Sequence, residues 1–226
     1  MLCSKGSSMS NVGPSMYLPP QFAEPRTEEF HRIIHNNSLG ILFRNSPAGM
    51  EADHLPFMLD AEQGFHGRLI AHVARANAIW REIQNGDKVM VVFRGVEGYI
   101  SPNWYPGNLE THRRVPTWNY EVVHAHGQIR VLDDESFVRG AVARLTRRHE
   151  AGQPVPWKMG DAPADYLAEQ LRNIVGIEID LDRLDCKRKL NQHHEVRDRE
   201  GAIKGLEASG NHGLAQAMRD TAKGSS

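Results

Sequence analysis

The sequence is poor in cysteine and has no long apolar run, and both shortages restrict the class of protein. Its 226 residues include two cysteines, Cys3 and Cys186, which are too few and too far apart for a disulfide framework or a zinc site. We therefore expect a reducing, cytoplasmic setting. No apolar stretch approaches the roughly 20 residues that a membrane-spanning helix needs, so we expect no membrane association.

The chain also carries little net charge. Its formal charge is −1 at pH 7, whereas surfaces that bind nucleic acid through its phosphates are usually strongly basic. A protein that binds nucleic acid without sequence preference is therefore disfavoured. A local basic patch that contacts DNA stays open.

Residues 1–15 lack both the apolar core of a signal peptide and any helical or strand period. We predict that they form a disordered leader. The remaining residues, 16–226, are enough for one large core. We predict that they form a single domain with a helical appendage at its C-terminal end.

The apolar pattern after residue 15 predicts a mainly β fold with flanking helices (α+β). Short apolar segments separated by turn residues predict about seven strands within residues 39–134, enough to close a barrel. A helix over residues 74–86 is expected to interrupt them. Residues 175–182 alternate between apolar and polar, which predicts a further strand with one buried and one wet face. Other helices are predicted over residues 24–37, 136–150, 165–174, 197–206 and 213–220.

The segment GRLIAHVARANAIW predicts a strand that runs directly into a helix. His72 lies near the end of that strand, and Arg75 and Asn77 lie in the first turn of the expected helix. Unpaired backbone N–H groups, the positive end of a helix and a guanidinium group together suit a phosphate. The alternative is that Arg75 caps its own turn or pairs with a carboxylate.

Aromatic residues make up only 7% of the chain, yet five of them fall within 22 residues. They are Tyr99, Trp104, Tyr105, Trp118 and Tyr120. Because Pro and Asn separate them, we predict that they lie on turns, where rigid rings can stack on a flat conjugated ligand or a partner subunit. The alternative is a hydrophobic cover over one end of the barrel.

Two smaller features involve charged residues and histidine. The segment CKRKLNQHH contains a charge run, which is most often a solvated face; its functional interpretation has Lys189 and Gln192 as donors to an anionic or carbonyl-bearing ligand. His124 and His126 lie on one face of an expected strand, at a spacing that a metal could use. No further ligand accompanies them, and we predict no metal site.

The order of these motifs resembles the PaiB-type family of FMN-binding negative transcriptional regulators, which is related to the pyridoxamine-phosphate-oxidase-like split barrels. The likeness begins at MYLPPQF and continues through HLPFML, GRLIAHVARAN, VVFRGVEGYISPNWY and VPTWNYEVVHAHG to KLNQHH and DREGAIKGL. It spans residues 16 to about 220. The chain departs from the family pattern at Asn191, Gln192 and His193, where Ser-Gln-Asn is expected.

The resemblance implies a homodimeric split β-barrel with FMN between the subunits. By motif, His72, Arg75 and Asn77 would hold the phosphate. The backbone around His54 and Leu55 and the turn of Ser101, Trp104 and Tyr105 would border the isoalloxazine ring, and Thr117, Trp118 and Asn119 would complete the pocket from the same chain or the second one. The expected cofactor-binding residues are His54, Leu55, His72, Arg75, Asn77, Ser101, Trp104, Tyr105, Thr117, Trp118, Asn119, Lys189 and Gln192.

Three functions stay open at this point. The resemblance implies a flavin-binding protein that represses transcription, either on DNA or through a regulatory partner. The helix pair expected within residues 197–220 has too few basic residues for a convincing recognition helix. A flavin-dependent oxidoreductase acting on a small molecule is the alternative. A haem-binding split barrel with a histidine axial ligand is the third.

Overall fold

A computed structural model describes residues 16–223; the predicted leader, residues 1–15, lies outside the described residues. Within the described part, alternating apolar residues form seven strands that pair antiparallel. The strands are β1 (Leu39–Ser46), β2 (Gly49–Pro56), β3 (Met58–Asp60), β4 (Arg68–Ala74), β5 (Lys88–Ile100), β6 (Thr117–Leu132) and β7 (Ile174–Lys189). The mainly β fold predicted from the sequence is confirmed.

The order of the strands requires the sheet to curl into a barrel. The order is β2-β1-β5-β6-β7-β4-β3, so β2 and β3 are the two edges. These edges are consecutive in the chain, because only Phe57 separates Pro56 at the end of β2 from Met58 at the start of β3. The Phe57 ring is fully buried and meets Phe93 edge-on, with 5.9 Å between ring centroids. The curled sheet with its flanking helices is the predicted split β-barrel.

β5 and β6 are longer than the sequence indicates. The pattern predicts two short strands in place of each, with breaks near Gly95 and Gly127. The structure has continuous strands with register shifts between Arg94 and Glu97 and between His126 and Gly127. A Cβ at Gly127 would lie 2.2 Å from the carbonyl oxygen of Asp180 on β7. That glycine therefore permits close strand contact and does not mark a turn.

Seven α-helices within residues 16–223 flank the sheet: α1 (Thr27–Asn36), α2 (Ile79–Glu82), α3 (Pro106–Thr111), α4 (Glu135–Glu150), α5 (Ala164–Arg172), α6 (Val196–Ala208) and α7 (His212–Lys223). The expected helix over residues 74–86 is wrong in length, because it is a turn followed by the single helical turn α2. The chain is extended again at Ile83, which packs against the barrel core. None of these helices is both long enough and apolar enough to cross a membrane.

Apolar side chains form two clusters. One fills the barrel and includes α1, whose Ile33 and Ile34 are fully buried. The other joins the two C-terminal helices to the end of β5 and to the segments around Tyr105 and Leu190. The helices α6 and α7 therefore pack against the barrel and not away from it.

The charge run at the end of β7 is not a solvated face, which corrects the most common interpretation of such a run. Lys187 and Arg188 are buried. Arg188 forms ion pairs with Glu121 at 2.7 Å and with Glu24 at 3.1 Å. The opposite charges that make this burial tolerable come from β6 and from the segment before α1, which are distant in sequence.

Candidate functional site

The residues predicted to bind a cofactor fall into two groups at opposite ends of β6. The first, which we call the strand-end group, lies near the end of β4 and consists of His54, Leu55, His72, Arg75 and Asn77. The second, the loop group, lies near the end of β5, the start of β6 and the end of β7, and consists of Ser101, Trp104, Tyr105, Thr117, Trp118, Asn119, Lys189 and Gln192.

Arg75 is engaged by protein groups on all sides of its guanidinium. Its two terminal nitrogens donate to the Asp133 carboxylate at 2.9 and 2.5 Å, and its Nε donates to the carbonyl oxygen of Arg172 at 2.7 Å. This hydrogen bonding lowers the pKa of Asp133 below its ordinary value. The alternative considered from the sequence, pairing with a carboxylate, is therefore present in this structure.

The rest of the strand-end group is held less tightly. The Asn77 side chain accepts from the N–H of Ile79, the first residue of α2, at 3.0 Å, and its amide nitrogen donates to Asp53 on β2 at 3.1 Å. That contact brings β2, with exposed His54 and buried Leu55, beside the end of β4. His72 is half-buried; burial lowers its pKa, and its Nδ1 has no partner among the described residues.

In the loop group, Trp104 and Tyr105 pack inward. Ser101 begins their 3-10 turn by accepting from the Asn103 N–H at 3.3 Å. Tyr105 is 1% exposed, and its hydroxyl accepts from the Asn191 amide at 2.9 Å. Trp104 lies so close to α6 that a Cβ at Gly205 would meet its ring at 2.2 Å. These two aromatics therefore attach α6 to the barrel.

Trp118 remains on the surface, together with Tyr99. They are cross-strand partners on β6 and β5, 55% and 45% exposed, with ring centroids 6.5 Å apart. The expectation that all the aromatics lie on turns is wrong for these two and for Tyr120, which are strand residues. Asn119, which lies between Trp118 and Tyr120 on β6, is buried against Met218 of α7, and its Oδ1 has no partner among the described residues.

Lys189 and Thr117 meet at a pocket of about 360 Å³. The Lys189 ammonium donates to the Thr117 hydroxyl. We call this the Lys189 pocket and define it by Tyr105, Arg114, Thr117, Lys189 and His194, which line it. Gln192 lies outside this lining; its Oε1 accepts from the Leu190 N–H at 2.8 Å and its amide nitrogen donates to the Arg188 carbonyl, so it stabilises its own loop.

Sequence reasoning missed several residues of these sites. Asp133 was seen only as the end of a strand, and Arg114 and His194 were given no role. Asp198, fully buried, accepts from the Gly107 N–H at 2.8 Å and from Arg114 at 2.6 Å. Burial alone would raise the pKa of Asp198, but these hydrogen bonds lower it. In the sequence, the adjacent arginines Arg113 and Arg114, just before β6, were the one feature that could have indicated these residues.

The histidine pair on β6 occupies a polar environment. His126 lies 3.0 Å from the Arg183 guanidinium and 3.7 Å from the Asp185 carboxylate. Within residues 16–223, no cluster of three or more His, Cys, Asp or Glu residues could hold a metal ion.

Comparison with known proteins identifies relatives over most of the chain. Residues 16–183 match the model of a family described as "Putative FMN-binding domain". An uncharacterised protein from Emericella nidulans is 32% identical over 230 residues, covering 86% of this chain and 92% of that protein. "Protease synthase and sporulation protein PAI 2" of Bacillus subtilis is 28% identical over 212 residues, covering 92% of this chain and 99% of that protein.

A solved structure supports the fold. The FAD and haem binding protein from Mycobacterium smegmatis superposes with a TM-score of 0.54 at 14% identity, covering 74% of this chain and 73% of that chain. At this level of identity, the likeness concerns the fold alone.

Proposed function

We propose that this chain, which belongs to the family of FMN-binding domains, binds its FMN between two copies of itself and in that form acts as a negative regulator of transcription. In the strand-end group of one copy, His72, Arg75 and Asn77 would hold the phosphate, and His54 and Leu55 would border the isoalloxazine ring. The loop group of the other copy would border the isoalloxazine ring.

The observation that carries the two-chain site is the separation of the two groups within one chain. Leu132, beside the strand-end group, lies twelve positions along β6 from Tyr120, which is beside the loop group. That interval is roughly 40 Å of extended strand, too long for one FMN to contact both groups of the same chain. Two-fold symmetry would bring each group against the opposite group of the partner and make two equivalent sites.

The exposed Tyr99 and Trp118 rings support the same arrangement. Large aromatic side chains that stay on the surface of a single chain often mark a contact with a ligand or a partner protein. This pair lies at the loop-group end of the sheet. A partner copy that covers it would bury both rings beside the flavin.

The strand-end group fits a phosphate under one condition. The unpartnered His72 Nδ1 can bond to a ligand, and Asn77 lies in the turn that follows β4. Arg75 must give up part of its contact with Asp133, or share it, before it can bind the phosphate. Because solvent-exposed ion pairs contribute little to stability, this exchange would cost little.

The regulatory part of the proposal is supported by the Bacillus subtilis relative, which is named for protease synthase and sporulation. Direct reading of DNA by the C-terminal helix pair is disfavoured, because α6 and α7 bury their apolar faces against the barrel. Lys187 and Arg188, which precede Lys189 and Leu190, are buried and so add no basic surface. Repression through a regulatory partner is therefore the form that we propose.

A flavin-dependent oxidoreductase is the second candidate. The Lys189 pocket favours it, because this cavity borders Tyr105 and Thr117 and could admit a small molecule beside the ring. Bound FMN would supply hydride transfer. The residues of the chain would orient the substrate and exclude water from it.

Complementation between two variants tests the two-chain site. Arg75→Ala disables the strand-end group, and Trp118→Ala disables the loop group. Each variant alone should bind FMN weakly. After full subunit exchange, half of the dimers in an equimolar mixture are heterodimers, and one of the two sites in each heterodimer is built from intact groups. The mixture should therefore regain about a quarter of the wild-type FMN, measured by flavin fluorescence after gel filtration.

A site contained in one chain predicts a different result. Each chain of the mixture would then carry one damaged group, and no FMN would be regained. That outcome, obtained with a mixture shown to have exchanged subunits, would reject the proposal. Wild-type protein mixed with either variant should hold about half of the wild-type FMN with or without exchange, and it serves as the control for FMN loading.

Two assays separate the regulator from the oxidoreductase. Expression of a reporter placed behind DNA upstream of the protein's own gene should fall when the protein is present and recover in the Trp118→Ala variant. FMN-dependent oxidation of NADH or NADPH by the purified protein, with no change in the reporter, would instead favour the enzyme.

A further inference from the structure

We propose that the Lys189 pocket binds a small oxyanion, a carboxylate or a phosphate group, carried by a molecule other than FMN. The position of this ligand beside the flavin rests on the proposed function. Its binding to the pocket does not, because the pocket is formed within one chain.

The charge of the lining favours an anion. The cationic or imidazole side chains that line the pocket are Arg113, Arg114, Lys189, His193 and His194, and the lining of described residues includes no Asp or Glu. The whole chain has a formal charge of −1, so this concentration of positive groups is local. A pocket of this kind attracts anions and offers them charge-assisted hydrogen bonds.

Lys189 lacks an opposite charge. Its ammonium donates to the Thr117 hydroxyl, and no carboxylate of the described residues lies within ion-pair distance of it. Burial, and then the neighbouring charge of Lys187, lowers the pKa of Lys189. A bound anion would supply the missing partner and reverse this effect.

Arg114 is held in position by Asp198, a residue outside the pocket. Its Nε and one terminal nitrogen donate to Asp198 at 3.2 and 2.6 Å, and its guanidinium lies 5.9 Å from the centroid of the Tyr105 ring. Asp198 is a fully buried residue of α6 and lies outside the pocket lining. It therefore orients Arg114 while leaving the other terminal nitrogen for a ligand.

Two unsatisfied polar atoms indicate what else the ligand carries. Asn191 and His194 both line the pocket, and the Asn191 Oδ1 and the His194 Nδ1 are buried without a partner among the described residues. Buried polar atoms usually have a hydrogen-bond partner, so each unsatisfied one calls for an explanation. An acceptor such as the Asn191 Oδ1 suits a ligand with a hydroxyl, an amino group or a protonated phosphate oxygen.

The size and walls of the pocket suit a small molecule. Its volume of about 360 Å³ is at the lower end of ligand cavities. One wall is the stacked pair of Tyr105 and His194, with 5.1 Å between ring centroids and planes 17° apart. We therefore expect a compact hydroxy acid, amino acid or phosphate ester.

The test uses FMN-loaded full-length protein in a buffer whose only other anion is chloride. Inorganic phosphate and, separately, acetate are titrated at constant ionic strength, and the imidazole resonances of His193 and His194 are followed by NMR. We expect saturable shifts with at least one of the two anions. Lys189→Met should weaken binding about tenfold or more, the effect of losing a charged hydrogen bond. Lys189→Arg should stay within a few-fold of wild type.

A matched control and a second variant keep the test decisive. Lys204→Met removes an exposed lysine of α6 and should leave binding unchanged. Arg113→Gln removes an exposed member of the lining, so it should weaken anion binding and leave the fold intact. It therefore tests the proposal in the case that Lys189→Met does not fold. Shifts that chloride reproduces, or equal affinities in the wild type and Arg113→Gln, would overturn the proposal.

FMN itself is the other possible source of an oxyanion. If the pocket held the flavin phosphate, Lys189→Met would weaken FMN but not riboflavin, and added phosphate would displace FMN. This result would overturn the present inference and leave FMN binding by the protein intact. If the mixture of variants failed to regain FMN in the complementation experiment while phosphate still bound at the pocket, only the two-chain site would be rejected.

Discussion

Arg75 illustrates how a residue predicted from its spacing acquires a competitor in the folded chain. The sequence places it next to a strand end, where a phosphate could bind. The fold brings Asp133, 58 positions away, to the same guanidinium. We expect the flavin phosphate and Asp133 to compete for this group.

This competition yields a prediction with opposite signs for two variants. Arg75→Ala should weaken FMN about tenfold or more and leave riboflavin unchanged, because only FMN has the phosphate. Asp133→Asn should bind FMN as well as the wild type or better, since the guanidinium is released. Fluorescence titration with both flavins measures these effects, and equal losses for FMN and riboflavin in Arg75→Ala would contradict a phosphate role.

His194 yields a prediction about pH. Burial, followed by the charges of His193 and Arg114, lowers its pKa from 6.5 to about 4. Between these values the unfolded chain binds a proton that the folded chain excludes, so stability should fall as the pH drops from about 6.5 towards 4. Chemical unfolding of wild type and His194→Gln at several pH values measures this.

The difference between the two curves isolates the histidine from other groups that titrate in acid. We expect the stability advantage of the wild type over His194→Gln to shrink as the pH falls through this window. A stability difference that is constant with pH would refute a neutral, half-buried His194 imidazole. Bound oxyanion would favour the charged form, so phosphate should make the decline less steep.

At the scale of elements, the sequence predicted the kinds of structure better than their lengths. Alternating apolar residues identified the strands because each buries one face. The extent of β6 was not predictable, because Gly127 reads as a turn until Asp180 of the neighbouring strand is known to press against it. The length of α2 was overestimated. Residues 74–86 have helical spacing, but the chain becomes extended at Ile83, whose side chain packs on the barrel core.

The candidate site was predictable to a similar degree. The sequence indicated Lys189 as a donor and the resemblance placed Thr117 in the cofactor site, and the structure brings these two side chains together. The residues around them could not be predicted from the sequence, since Arg114 is held at the pocket by Asp198, which lies 84 positions later. Gln192 looked equivalent to Lys189 in the motif, yet its amide is used by its own loop.

Helix α6 provides a test of packing with an internal control. Gly205→Ala would place a Cβ 2.2 Å from the Trp104 ring, and we expect it to destabilise the protein by about 1–3 kcal/mol despite the better helix propensity of alanine. Gly140→Ala on α4 meets nothing within 4 Å and should stabilise by up to about 1 kcal/mol. Thermal or chemical unfolding of both variants measures the contrast.

If Gly205→Ala were as stable as Gly140→Ala, Trp104 would not anchor α6. Quenching of Trp104 fluorescence provides a second measurement, because a displaced α6 exposes the ring. The Lys189 pocket should loosen with it, since Tyr105 follows Trp104 in the same turn.

At the scale of the whole molecule, the proposed dimer makes cofactor and partner interdependent. Sedimentation of the wild type should give the mass of two chains. Trp118→Glu places a charge where two apolar rings are exposed, and we expect it to be monomeric and to bind little FMN, with its fold retained because the side chain is on the surface. A monomeric variant with normal FMN affinity would contradict this linkage.

The connection through Phe57 limits how the chain can vary in length. Leu55, Phe57 and Leu59 are buried in alternation across the passage from β2 to β3, so one inserted residue there would turn every following side chain of β3 to the wrong face. Residues 61–65, which are exposed, carry no such constraint. The chain can therefore vary in length in its exposed hairpin loops during evolution. The single residue that joins the two edge strands, β2 and β3, tolerates neither an insertion nor a deletion.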